Sequence, residues 1–247
     1  MEALKQAIRN AARPFGLAVM KHPTSPFRPI SVFDLCVQFL MSVRGTNLKF
    51  IQVGANDGVF NDPLRRYILE FPWRGILVEP QPDVFAKLRA NYAESGDRLI
   101  FENAAIAAGT SEIKMYRPSS SVPNAVYANS VSSINEKLTA RQLGLKKGDL
   151  EQISVPCATL DQLIEKHGMT DIDLLQIDAE GYDFKVLRTL DLSKQSPLII
   201  QFEHGQLQYS EVDEVVQYLS RHNYSILYGG RQIDTVAIHA SYPLQTE

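Results

Sequence analysis

Residues 50–58, Phe50-Ile51-Gln52-Val53-Gly54-Ala55-Asn56-Asp57-Gly58, decide how the rest of the chain is read. The short apolar run from Leu48 to Val53 has the pattern of a buried strand, and it stops at Gly54. Gly54 and Gly58 let the backbone turn tightly and approach a ligand with no Cβ in the way. Asn61 or Asp62 then caps a helix with Pro63 at its first position. The apolar face of that helix is Leu64, Tyr67, Ile68 and Phe71.

Downstream, the same alternation continues. Gly75 to Val78 reads as a strand ending at Glu79-Pro80, Pro82 opens a helix facing inward through Phe85, Leu88 and Tyr92, and Arg98 to Phe101 is a third strand. Strand and helix in turn are the rhythm of a parallel sheet with right-handed crossovers. The middle is less regular: strands are expected at Ile113 to Tyr116 and Ile153 to Val155, around a polar loop from Pro118 to Ser132. A helix from Leu160 to His167, a strand from Ile172 to Ile177, a helix from Asp183 to Leu190 and a strand from Leu198 to Phe202 restore the alternation. A last helix carries Val212, Val215, Val216 and Leu219, and Tyr224 to Tyr228 with Ile233 to Ile238 reads as a hairpin.

Upstream lies a helical segment, residues 1–46, expected to pack on the domain formed by 47–247. Its first part sets Leu4, Ile8, Ala12 and Phe15 between basic residues, and its second sets Val32, Leu35, Phe39 and Val43 at helical spacing.

Three loops carry chemistry, each at the carboxyl end of an expected strand, where open parallel sheets bind ligands. They are 54–58, Glu79 with Pro80 and Gln81, and Asp178-Ala179-Glu180-Gly181. A carboxylate at Glu79 can accept both hydrogens of a ribose diol. Asp178 and Glu180 face the same cleft, although Glu180 could equally complement the dipole of the helix that follows.

Taken together, these residues resemble the FkbM family of S-adenosylmethionine-dependent methyltransferases. The resemblance rests on residues 50–58, Leu77-Val78-Glu79-Pro80, Asn103-Ala104-Ala105-Ile106 and Leu175-Gln176-Ile177-Asp178-Ala179-Glu180-Gly181. It implies an α/β, Rossmann-like class I methyltransferase fold: a mostly parallel sheet, helices on both faces and a C-terminal antiparallel hairpin. It implies that Gln52, Gly54, Ala55, Asn56, Asp57 and Gly58 wrap the methionine part of S-adenosylmethionine and that Glu79 holds the ribose. Pro80 and Gln81 would shape the adenosine site, Asn103, Ala104 and Ala105 would lie near the adenine, and Asp178 would sit where methyl donor meets acceptor. The family usually carries an acid two positions before the first glycine. Here Gln52 offers a carboxamide oxygen instead, with Asp57 as a nearby source of negative charge.

The implied reaction is O-methylation of a sugar, glycan or small natural product, with Asp178, Glu180 or His204 as the general base. A second version sets Mg2+ on Asp178, Glu180 or Glu203 to acidify the acceptor hydroxyl. Tyr116, Tyr127 and Asn129, in or beside the polar loop, could contact a sugar. A nicotinamide-dependent oxidoreductase also places an acid after its second strand, but residues 54–58 lack the third glycine of G-x-G-x-x-G. A domain that keeps the fold and has lost catalysis, serving as a binding module, is the other alternative, and Gln52 is the feature that favours it.

Composition narrows the field further. The chain has 247 residues, a net charge of −3 and 45% hydrophobic residues, with Lys and Arg scattered, so no basic footprint for nucleic acid is present. No apolar run reaches the roughly 20 residues that span a bilayer. Cys36 and Cys157 form no CxxC and read as small buried thiols, which suits the cytoplasm.

Overall fold

The computed structural model describes residues 31–119, 122, 132–228 and 234–243. The segment expected to be helical at 1–20, and the loop residues Tyr127 and Asn129, lie outside them. Ser31 to Glu247 form one compact unit.

Helix α1 (Val32–Arg44) starts at Ser31, whose hydroxyl accepts the Asp34 N–H at 3.0 Å. Then come β1 (Lys49–Val53), α2 (Arg65–Glu70), β2 (Arg74–Val78), α3 (Pro82–Asn91) and β3 (Leu99–Glu102). The irregular middle holds β4 (Ala105–Ile106), β5 (Glu112–Pro118), α4 (Glu136–Leu143) and β6 (Leu150–Ala158). Alternation returns with α5 (Leu160–His167), β7 (Leu174–Ile177), α6 (Asp183–Leu187) and β8 (Ile199–Glu203). Helix α7 (Tyr209–Arg221) and strands β9 (Tyr224–Tyr228) and β10 (Asp234–His239) follow.

The main sheet has seven strands in the order β3-β2-β1-β7-β8-β10-β9. The five from β3 to β8 are parallel, and β10 is antiparallel to both β8 and β9. Successive parallel strands run outward from β1 through β2 to β3 and, on the other side, from β7 to β8, so the strand order reverses between β1 and β7. That boundary is where such sheets open a crevice for ligands.

Strand alternation supplies a core on each face. Ile51, Val53, Leu175 and Ile177 pack with Leu160 and Leu163 of α5, Val186 and Leu187 of α6 and Leu219 of α7. Phe50, Leu77, Leu174 and Ile199 pack on the opposite face with α1, α2 and α3. Helices on both faces of a mostly parallel sheet, with an antiparallel hairpin at one edge, are the architecture that the family resemblance implies.

Two expectations change. In α1 the buried side chains are Phe33, Cys36, Val37, Leu40 and Met41. Leu35 and Val43 are more than half exposed and Phe39 is 37% exposed, so the helix is turned away from the face that its spacing suggested. Apolar residues occupy most of its circumference, and the shape of the sheet beneath selects the stripe. Nor is the middle merely loop and isolated strand. Helix α4 is capped by Asn135, which accepts the N–H groups of Lys137 and Leu138, and it ends at left-handed Gly144. Strands β4, β6 and β5 form a second sheet, with β6 parallel to β4 and antiparallel to β5.

Candidate functional site

The register of the main sheet sets the site. Val53 pairs with Val78 and with Ile177, Ile177 with Phe202, and Val78 with Glu102. The turns that follow β1, β2 and β7 therefore leave the sheet at one level. Backbone bonds lock them: Gly54 and Ala55 both donate to Val78 O at 3.0 Å, Glu79 donates to Glu102 O at 3.0 Å, and Asp178 donates to Val53 O at 2.9 Å.

The first glycine is dictated by this packing. Gly54 has φ +77°, and a Cβ there would lie 1.9 Å from the Asp178 carbonyl oxygen. The expected freedom to approach a ligand is here used to let the turn after β1 touch the turn after β7. Gly58, at φ +72°, is pressed against the Tyr92 ring and Leu88 instead.

A cavity of about 330 Å³ opens between these turns and the second sheet. Gln52, Gly54, Ala55, Asn56, Glu79, Pro80, Gln81, Ala104, Ala105, Asp178 and Glu180 all line it. Asp57, Gly58, Asn103 and His204 stand outside its lining. Asp57 Oδ1 accepts the N–H groups of Val59 and Phe60 and so shapes the turn. Asn103 donates from Nδ2 to the carbonyls of Glu79 at 2.8 Å and Pro80 at 3.0 Å, which braces the wall from behind. His204 Nδ1 shares a hydrogen with Thr235 Oγ1 at 2.9 Å, beside β10.

Glu79 is 4% exposed. Its two oxygens accept the N–H of Gln81 at 2.9 Å and of Asn56 at 3.1 Å. Burial outweighs those bonds and pushes the carboxyl up to about 7. Asp178 is an exposed residue that lines the cavity. Protein still crowds its carboxyl, and that crowding, with Glu180 and Asp234 near, also raises it to about 7. Glu180 adopts φ +50° and accepts from Gln142 Nε2, while its carbonyl accepts the Ser133 hydroxyl at 3.1 Å. Those contacts bind the Asp178–Gly181 turn to α4 and its approach segment. Behind the turn, Asp183 is fully buried and accepts the N–H groups of Glu203 at 3.1 Å and Ala179 at 3.4 Å. Glu203 is raised to about 8 by burial, then by Asp178, Glu180 and Asp234. Among the described residues, no three His, Cys, Asp or Glu side chains are grouped to hold a metal ion.

Several lining residues escape a sequence reading. Ile113 and Met115 come from β5, and Ser133 and Ile134 from the approach to α4, so the apolar and outer wall depends on the unforeseen second sheet. Asp62, expected only as a helix cap, lines the cavity as well. It does accept the N–H groups of Leu64 at 2.8 Å and Arg65 at 3.2 Å, with the regular helix beginning at Arg65. Gln176 lines it from β7. Only the Gln176 pairing had a signal, since it sits two positions before Asp178 as Gln52 does before Gly54.

Against known proteins, a model of the methyltransferase FkbM domain matches residues 52–226. Among solved structures, a methyltransferase FkbM from Methylobacillus flagellatus KT is 16% identical at a TM-score of 0.46, covering 78% of this chain and 44% of its own. The chain thus spans less than half the length of that protein. A Geobacter metallireducens precorrin-6y C5,15-methyltransferase is 10% identical at a TM-score of 0.42, over 87% of this chain and 92% of its own. The N-terminal domain of human METTL16, solved with SAH, is 12% identical at a TM-score of 0.45, over 94% of this chain and 80% of its own. No curated protein matches the sequence.

Proposed function

The chain belongs to the FkbM methyltransferase family, and on that premise we propose that it transfers the methyl group of S-adenosylmethionine to a hydroxyl of a sugar, glycan or small natural product. One observation carries the proposal: the turns after β1, β2 and β7 converge on one cavity whose lining holds a buried carboxylate, Glu79, together with apolar side chains.

The residues present suit that donor. Glu79 is anchored by two backbone N–H groups with its carboxylate at the cavity wall, where a ribose diol can donate to it. Ala104 and Ala105, with Ile106 and Met115, offer the small and apolar surface that an adenine ring requires. Gln52 Oε1 and Gln176 Oε1 are buried, belong to lining residues and have no hydrogen-bond partner among the described residues, so they are acceptors open to a ligand's donors.

When bound, the sulfonium of S-adenosylmethionine supplies an already electrophilic methyl group. The protein has to align the acceptor, which is worth about 7–11 kcal/mol when done well, and remove the hydroxyl proton. Asp178 is the base this arrangement favours. It lines the cavity, and its carboxyl, raised to about 7 chiefly by burial, takes up a proton near neutrality. Glu180 is engaged by Gln142, and His204 stands beside Thr235 outside the lining. The magnesium-assisted version has no ligand group to rest on among the described residues.

Calorimetry with S-adenosylmethionine and S-adenosylhomocysteine, followed by labelled-methyl transfer to a panel of sugars and glycolipids, tests the proposal. Asp178→Asn is expected to cut transfer by about a hundredfold or more while leaving S-adenosylhomocysteine affinity within a few-fold. Absence of binding heat with both compounds overturns the assignment.

A further inference from the structure

We propose that Arg117 is a clasp at the cavity rim, which grips Asp83, holds β5 against the start of α3 and sets how fast the nucleoside enters and leaves. The inference rests on the cavity taking S-adenosylmethionine, as proposed above, and concerns exchange of that molecule instead of methyl transfer.

The strand pattern puts Arg117 at the rim. Strand β5 pairs with β6 residue for residue from Glu112 to Pro118, with no bulge, so Ile113, Met115 and Arg117 share one face. Ile113 and Met115 line the cavity, and Arg117 is the next side chain along that face. On the facing wall Pro80 and Gln81 line the cavity, and Asp83 follows in the first turn of α3. Arg117 Nη1 donates to Asp83 Oδ1 at 2.5 Å, between residues 34 apart in sequence. The pair thus joins a wall built by the second sheet to a wall that follows β2 of the main sheet.

The guanidinium is aimed by its own strand partner. Its Nε donates to Glu151 Oε1 at 2.7 Å, and Glu151 is the register partner of Arg117 on β6. One planar fork therefore bonds two carboxylates on different elements, a geometry that a lysine ammonium reproduces poorly. The Arg117 side chain is 21% exposed and that of Asp83 49%, so the pair lies within reach of dissolved salt and adds little to overall stability. A rim contact of that strength breaks and reforms while both walls stay folded. Each break frees β5 to move from α3 and opens the passage between them.

The test measures association and dissociation rates of S-adenosylhomocysteine on the full chain by stopped flow. A gate obstructs entry and exit alike, so losing it speeds both and leaves affinity nearly unchanged. Arg117→Met and Asp83→Asn are each expected to raise both rates by about three- to fivefold, with Kd within about twofold of wild type. Arg117→Lys is expected to fall between Arg117→Met and wild type. The double variant should be no faster than either single variant, because one contact is lost in all three. Raising sodium chloride from about 0.05 M to about 0.5 M should speed exchange in wild type and leave both single variants unmoved. Unchanged rates in both single variants overturn the inference, as do effects that multiply in the double variant. Faster release with weaker binding and unaltered association also overturns it, since that marks a wall brace and not a gate. A wild-type protein that gives no binding signal overturns the cofactor assignment itself, and the inference with it.

Discussion

Glu79 is held out of solvent by two backbone N–H groups and stays close to half-protonated at neutral pH. A diol can donate two hydrogen bonds only to the ionised form, so binding should expel the proton. S-adenosylhomocysteine affinity is therefore expected to rise by about tenfold from pH 6 to pH 8, and Glu79→Gln to flatten the profile while weakening binding at pH 8. Calorimetry across that range checks both. The position of Glu79 was legible because a strand ending in an acid followed by proline is a local pattern. The part played by Asp62, which also accepts a hydrogen bond from Gln52 Nε2, was not. Its neighbours Gln52 and Tyr92 lie 10 and 30 residues away in sequence, and nothing near Asp62 distinguishes a simple cap from a cap that also grips a glutamine.

Among the elements, the turn after β1 bears the tightest constraint. Gly54 sits at φ +77° with the Asp178 carbonyl where a Cβ would go. Gly54→Ala must push two strand ends apart and is expected to cost about 3 kcal/mol or more, seen as a lower midpoint in urea unfolding. Gly168→Ala is a control with a similar positive φ and open space, and should cost only about 1 kcal/mol. The parallel strands were readable because each is a short apolar run closed by a turn residue. The second sheet was not, since β5 alternates imperfectly and its partner β6 begins more than thirty residues after β5 does, past the polar loop. Helix α1 misled for a different reason: Phe33, Val37 and Leu40 compete with Leu35, Phe39 and Val43 for the core, and only the tertiary surface decides between them.

At the scale of the molecule, carboxyl groups gather at one edge of the sheet. Glu79 and Asp178 are raised to about 7 and Glu203 to about 8, while burial also raises Asp183, Glu180 and Asp234. For each, the folded state holds a proton that the unfolded chain has released, so these groups favour folding in acid and lose that advantage as pH rises. The window runs from about 4.5, where unfolded carboxylates ionise, to about 8. Glu102 acts in the opposite sense; burial alone would raise it, but Lys166 and His167 draw it below its ordinary value, so it matters only in more acidic solution. The thermal midpoint of the ligand-free protein is expected to fall by several degrees between pH 6 and pH 8.5, as calorimetric scanning would show. A midpoint that rises over that interval contradicts these assignments.

The placement of β10 between β8 and β9 has a further consequence for how the protein is made. The ribosome delivers β9 before β10, yet among the described residues β9 pairs with β10 alone. Until residues 234–239 emerge, β8 keeps one side open and β9 has α7 to lie against but no strand to pair with. Closure of that flank must therefore wait for translation to pass the strand that threads between them. The nascent chain meanwhile carries an uncovered edge of the kind that chaperones bind and that neighbouring polypeptides can join.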